Sequence, residues 1–368
     1  MNIKIKSILT VSVAVLIVFG FGVSLLTGDK KNYSQAERRK LEEFPEVNVS
    51  EIWSGDYMTD FENASVDQFP MRDFFRKIKA YAVTDLLMQS DNNGVFTCDG
   101  HISKLEYPLK YEMLDHASNC FENIYTTYFK GTDSNVYFSV IPDKNMFLAE
   151  KNNILAFDYS KMISYMKHKM SHMKYIDIVP FLSADDYYST DSHWKQERIT
   201  DIADFIAETM GTHIADDFNE NTVNKRFYGV YHGQSALDYS PDTLVCLTNE
   251  TIENLVVTIY PNGVAEKSEV YDMEKAFGKD PYEMFLSGSQ PIVEIENHKN
   301  KNGRKLVIFR DSFGSSIAPL LASGYGKITL VDTRYVQPSM LSQFIGNDTD
   351  DVLFIYSSLI LNSSLALR

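Results

Sequence analysis

Two short stretches of the chain hold residue types that do chemistry together. One is Asp191-Ser192-His193, inside the segment from Tyr187 to Trp194; the other is Asp311-Ser312, inside the segment from Gly303 to Leu321. Serine is a weak nucleophile until a nearby imidazole takes its proton and a carboxylate fixes the tautomer of that imidazole. In a loop or extended segment, residues two apart point to the same side, so Asp191 and His193 can pair. On a helix of 3.6 residues per turn they would stand about 200° apart and could not. The pairing therefore requires a loop. Each stretch alone has a plainer reading: Asp311 and Ser312 as the N-cap of a helix, and Asp-x-His as a surface turn or a pair of metal ligands lacking partners. Taken together they supply a serine nucleophile, its base and the group that holds the base.

The elements around them must bring residue 193 to residue 312. Leu306 to Phe309 is a continuous apolar run of the kind that fills a buried strand, and the small residues after it open a helix. A strand feeding a helix through a tight turn puts Ser312 at the strand's carboxyl end, where open α/β sheets gather their sites. Val136 to Ile141 reads as a second buried strand ending at Pro142, and Lys144 follows it into the same region. Helical patterns run from Tyr107 to Phe129, Tyr159 to Met173 and Lys195 to Thr209, with strands at Tyr175 to Val179, Lys327 to Val331 and Val352 to Tyr356. This alternation predicts an α/β fold with a doubly wound, mostly parallel sheet. Between Gly211 and Lys301 the period changes. Short strands at Phe227 to Tyr231, Thr243 to Leu247, Leu255 to Tyr260 and Ile292 to Ile295 predict a β-rich insertion, 211–301, between the two halves of the site.

Upstream, Tyr57 to Leu87 has aromatic and aliphatic residues at helical spacing, broken at Pro70, and the aromatic face reads as core. Val95 to Thr97 and His101-Ile102 read as short strands separated by turn residues. His168 and His172 stand four apart on a predicted helix, but no third ligand accompanies them, so they read as a solvated face. No cofactor or metal is implied. Ile8 to Leu26 is apolar and long enough to span a bilayer, and Lys4 and Lys6 precede it. The positive-inside rule then puts residues 1–28 as an uncleaved anchor at the cell membrane and 29–368 outside the cytoplasm, a cleaved signal peptide being the competing reading. A net charge of −15 excludes a nucleic-acid partner, which needs a basic face. Three cysteines, Cys98, Cys120 and Cys246, imply no disulfide framework.

The motif STDSHW (Ser189 to Trp194), then RDSFGSSIAPLL, YGKITLVDTRYV and DDVLFIYS, resemble the DHHW family, within the SGNH hydrolase superfamily and related to proteins of periplasmic alginate O-acetylation. ERRKLEEFP (Glu37 to Pro45), DQFPMRD (Asp67 to Asp73), IPDKNMF (Ile141 to Phe147), FYGVYHG (Phe227 to Gly233) and DPYEMFLSGSQP (Asp280 to Pro291) continue the likeness in family order. The resemblance implies an SGNH-like α/β/α fold with Ser312 as nucleophile, His193 as base and Asp191 as orienting carboxylate. Lys144, Gly288, Ser289, Trp194, Arg310 and Tyr228 complete the candidate set for oxyanion and substrate contacts; Lys144, just past the strand end at Pro142, also reads as a turn lysine held for local structure, and Tyr228 reads better as core or sheet-surface packing. Three positions depart from the pattern: Ser192 replaces the first histidine of Asp-His-His-Trp, and Ser289-Gln290 stands where Asn-His is expected. The implied activity is O-acetyl transfer to an exported or cell-surface polysaccharide, with a membrane-bound O-acyltransferase as donor partner. A carbohydrate esterase with the same triad and a non-catalytic glycan-binding scaffold remain the alternatives.

Overall fold

Residues 306 and 308 of the central apolar run belong to one hydrophobic cluster and 307 and 309 to another. The same alternation splits Leu353 and Ile355 from Val352, Phe354 and Tyr356, and Tyr137 and Ile141 from Val136, Phe138 and Val140. Successive side chains of a strand point to opposite faces, so this sheet is buried on both sides and its strands read as continuous apolar runs. The computed structural model describes residues 3–34, 36–301 and 303–368.

By density of internal contacts the chain forms two units, 1–93 with 232–238, and 94–231 with 239–368. The first holds α1 (Ile3–Thr27), α2 (Asp56–Asp67) and α3 (Arg72–Tyr81). Residues 29 to 93 share this unit with α1. The amide of Gln68 is bonded to both backbone groups of Lys31 and to the carbonyl of Glu42, and Arg39 makes two bonds to Asp67 at 2.6 and 2.7 Å, so the presumed linker packs on the helices behind it. The aromatic face of 57–87 is not core either. Phe74, Phe75, Ile78, Tyr81 and Leu86 are exposed, because the buried side of α3 is given to Arg72 and Arg76 and their carboxylate partners.

The second unit is built on an eight-stranded sheet. In chain order its longer helices are α4 (Tyr111–Tyr128), α5 (Tyr159–Lys169), α6 (Thr200–Thr209) and α7 (Gly314–Leu321). Its strands are β1 (Asn135–Ile141), β2 (Lys174–Tyr175), β3 (Val256–Ile259), β4 (Glu266–Ser268), β5 (Ile292–Glu296), β6 (Lys305–Arg310), β7 (Lys327–Val331) and β8 (Asp351–Ser357), in the spatial order β4-β3-β5-β7-β6-β8-β1-β2. The five from β7 to β2 are mutually parallel, and β5, β3 and β4 are added antiparallel. Residues of α6 and α7 fill one face, and residues of α4 and α5 fill the other.

The 211–301 stretch holds five strands, of which β3, β4 and β5 extend the main sheet and the other two form a separate hairpin. Two expectations are corrected here. The strand expected through Val179 stops at Tyr175, and the chain coils into a short helical turn at Val179–Phe181, where Pro180 can donate no ladder bond. The strand expected over Phe227 to Tyr231 ends at Phe227, the last residue of the hairpin Asn219–Phe227/Asp242–Thr248, and Val230–Ser235 is helical. The N–H groups of Gly229 and Val230 are drawn away to Thr190 Oγ1 and Asp191 Oδ2, both at 2.8 Å, so the ladder cannot continue.

Candidate active site

Strand β6 ends at Arg310, and the two residues after it divide the work. One carboxylate oxygen of Asp311 accepts from the Phe313 N–H at 3.0 Å, and the other from the Ser357 N–H of neighbouring β8 at 2.7 Å. Asp311 thus takes the capping role. Ser312 is left half-buried at the carboxyl end of the strand, ahead of α7. The helix begins against the strand it leaves: a Cβ on Gly314 would meet the Cβ of Arg310 at 2.6 Å, so only glycine fits there.

The histidine arrives on a loop folded back on itself. The Tyr188 N–H donates to the His193 carbonyl at 3.0 Å, and the Lys195 N–H to the Asp186 carbonyl at 2.8 Å. Asp242 accepts from the Ser189 and Thr190 N–H groups at 2.8 Å and from the Thr190 hydroxyl at 2.6 Å. Gly229 passes so close that a Cβ there would stand 2.3 Å from the Cβ of Asp191. The loop is held from three sides.

Within this frame His193 Nε2 is 2.7 Å from Ser312 Oγ, and His193 Nδ1 is 2.6 Å from Asp191 Oδ1. Asp191 is fully buried, and its second oxygen is occupied by the Val230 N–H. A buried carboxylate at Nδ1 assigns the ring proton to that nitrogen and leaves Nε2 to accept from the serine hydroxyl. The imidazole keeps 13% of its surface exposed, enough for a reactant to reach it. Tyr282 lies flat on the ring, with centroids 3.8 Å apart and planes 10° off parallel, and its hydroxyl donates to Ser316 Oγ at 2.9 Å. This fixes the ring plane.

The wider candidate set separates by burial. Lys144 is completely buried, and its Nζ donates to the carbonyls of Tyr188, Ser189 and Asp191 at 2.8, 3.0 and 2.8 Å. All three donors of the ammonium go to the loop, so its task is the local structural hold, a grip on the backbone of Asp191, and not the oxyanion contact. Burial pushes its pKa down to about 7, partly offset by the carboxylates of Asp191, Asp242 and Asp143. Trp194 is buried and donates from Nε1 to Ser316 Oγ at 2.8 Å, tying the loop to α7 and presenting nothing to a ligand. Arg310 is buried beside Asp332 at 3.7 Å, with its Nη2 3.5 Å from the Gly288 carbonyl, so it braces the 286–288 turn from beneath. Gly288 adopts φ +77° and is itself buried. Ser289 and Tyr228, the latter 41% exposed, open to solvent. Ser192, at the altered motif position, reaches Asp191 Oδ1 at 3.5 Å.

The residue-by-residue reading missed Tyr282, Gly229, Thr190 and Asp242. All four act through shape or backbone bonds, which residue type alone does not announce. Tyr282, Gly229 and Thr190 did fall inside motifs that carry the resemblance. His172, also singled out, lies beyond the end of α5 and pairs with Glu122 at 3.1 Å.

A serine, a histidine and a buried aspartate converge at the carboxyl end of a parallel strand in a mixed α/β unit, and the fold of that unit has solved counterparts. No family model and no curated relative matches the chain. Among solved structures, a DHHW family protein from Eubacterium siraeum DSM 15702 superposes with a TM-score of 0.61 at 22% identity, covering 75% of this chain and 94% of that one. Bacillus cereus PatB1, solved with a sulfonyl adduct, superposes with a TM-score of 0.61 at 22% identity, covering 73% and 95%. PatB1 without the adduct gives 0.60 at 20% identity, covering 73% and 97%. The likeness read from the ordered motifs is thus matched at the level of fold.

Proposed function

We propose that this protein is a serine-dependent O-acyltransferase, anchored in the cell membrane with its SGNH-like unit outside the cytoplasm. It moves an acyl group, acetyl by preference, onto a hydroxyl of an exported or cell-surface polysaccharide. The observation that carries this reading is the unbroken Ser312–His193–Asp191 chain at 2.7 and 2.6 Å. The Ser312 oxygen attacks the acyl carbonyl while its proton passes to His193 Nε2. The tetrahedral intermediate then collapses, and His193 returns the proton to the leaving oxygen of the donor. In the second half a sugar hydroxyl attacks the acyl-serine, again losing its proton to His193, and Ser312 recovers it as the ester product leaves. Asp191 holds the imidazole in the tautomer that both halves require.

The oxyanion is met by the Ser312 N–H and by a donor from the turn holding Gly288 and Ser289. Such donors are each worth about 3 kcal/mol where water is kept out. Ser289 and Tyr228, both open to solvent, are the places for acceptor contacts. The family likeness supports a membrane-bound O-acyltransferase as the source of acyl groups, and the apolar segment Ile5–Leu25 supports the location. The test is acyl transfer from an activated ester to a polysaccharide acceptor by the purified protein. The wild type should esterify the polymer, and Ser312→Ala should lower the rate by about 10⁴-fold or more without loss of fold. Acetate release with no transfer to any acceptor would make the protein an esterase, and full activity of Ser312→Ala would remove Ser312 from the reaction.

A further inference from the structure

Helix α3 has its polarity turned inside out. Arg72 and Arg76, one turn apart, face Glu37 and Asp67 within the first unit: Arg72 is 2.5 Å from Glu37 and 3.3 Å from Asp67, and Arg76 is 3.5 Å from Glu37. Arg39 closes the network on Asp67 and is the main cause that its carboxyl stays below the usual range, against the opposing effect of burial. Met71, Phe74, Phe75 and Ile78, spaced as one helical face, are left exposed. In water that arrangement costs free energy on both counts, since it buries the charges and exposes the apolar face.

The apolar segment Ile5–Leu25 lies directly beside this face. Phe21 stacks on Phe69 at 5.3 Å and meets Phe75 edge-on at 5.7 Å, and Pro70 and Met71 line a cleft with Leu16, Ile17 and Gly20. At about 1.5 Å of rise per residue, Phe21 sits roughly 6 Å and Leu16 roughly 13 Å inside the outer end of the segment at Leu25. If that segment spans, what packs at those depths is within the hydrocarbon. The turn can live there. Pro70 has no N–H, and the Arg72, Phe74 and Phe75 N–H groups donate to the Phe69 and Met71 carbonyls at 3.1, 3.0 and 3.2 Å, so little polar backbone asks for water.

We infer that the turn Phe69–Met71 and the apolar face of α3 dip into the outer lipid leaflet beside the span, as a second membrane-binding element of this protein. The inference rests on the reading of α1 as a membrane span. Its occupant is lipid, because the face continues the lipid-facing surface of that span and carries no charge of its own.

The test uses the full chain expressed in membranes, with a photo-crosslinking amino acid at one position and mass spectrometry of the adduct. Phe74→benzoylphenylalanine should give phospholipid adducts, as should Ile17→benzoylphenylalanine in the span, both well above the yield from Asp73→benzoylphenylalanine on the exposed flank. Adducts from position 74 to another protein or to a second copy would overturn the inference. So would a lipid yield at 74 no higher than at 73 while position 17 labels lipid. Failure of position 17 to label lipid would reject the span itself, and this element with it. Should the Phe74 variant not accumulate, Ile78→benzoylphenylalanine, one turn along the same face, is read by the same outcomes.

Discussion

His193 stands between a hydroxyl and a carboxylate, and each side makes a separate demand. Asp191→Asn keeps the shape of the side chain but offers an amide where an anion held the Nδ1 proton. We predict that it lowers the transfer rate by about 10³- to 10⁴-fold while leaving the melting temperature close to that of the wild type. Thermal melting and rate measurements on one preparation check both. Lys144 makes a different kind of demand, since its three bonds end on backbone carbonyls and not on a reactant. Lys144→Met leaves those buried acceptors unpaired and should cost about 3 kcal/mol of stability, with a fall in rate that reports displacement of Asp191. Denaturant titration measures the first effect.

Asp143 adds a pH signature. Burial pushes its carboxyl up to about 6, against the hydrogen bonds from Tyr159 and Ser358. Between the unfolded value of about 4 and that folded value, the native state holds a proton that the unfolded chain has released. The stability from this group is therefore whole below about pH 4 and lost as pH rises through about 6. Asp143→Asn should remove that part of the slope. Stability of the wild type minus that of the variant should shrink from pH 4 to pH 7 in denaturant titrations, and a difference that grew with pH would reverse the assignment.

At the scale of elements, the site depends on close approaches between segments far apart in the chain. Gly229→Ala would drive a methyl into Asp191, where the separation is 2.3 Å. It should cost about 2 kcal/mol of stability and most of the activity, whereas the same change at Gly263, where the Cβ position is open and only the left-handed φ of +79° opposes it, should cost about 1 kcal/mol and leave activity intact. Paired melting curves and transfer assays separate the two. Apolar runs made β1, β6, β7 and β8 legible, since a strand buried on both faces has little choice of residue. Asp191 and His193 were legible because their spacing allows a pair only in a loop. The end of the strand near Phe227 was not legible, because what stops it is a side chain some forty positions upstream. Nor was the orientation of α3: its period is helical either way, and only the partners of Arg72 and Arg76 reveal which side faces in. Lys144 was placed in the right neighbourhood with two tasks open, a local structural hold or an oxyanion contact, and its burial with three bonds to backbone carbonyls fits the first.

At the scale of the whole molecule, two hydrophobic clusters back the sheet that carries Ser312. Phe309 lies in one of them, stacked on Phe354 at 4.5 Å and edge-on to Phe129 at 6.0 Å. Phe309→Ala should cost about 3 to 5 kcal/mol, while Trp53→Ala, at a side chain 86% exposed, should change stability by less than about 0.5 kcal/mol. Urea titrations of the two variants test which residues hold the molecule together. The segment Ile5–Leu25 is long and apolar enough to cross a membrane, and the net charge of −15 disfavours a polyanionic partner.

The most direct test of the central claim is the intact mass of the full chain after exposure to a serine-directed sulfonyl fluoride, with the adduct located by peptide mapping. A single adduct on Ser312, lost in Ser312→Ala and suppressed in His193→Ala, is the predicted result. An unmodified chain, or an adduct that persists when His193 is removed, would contradict it.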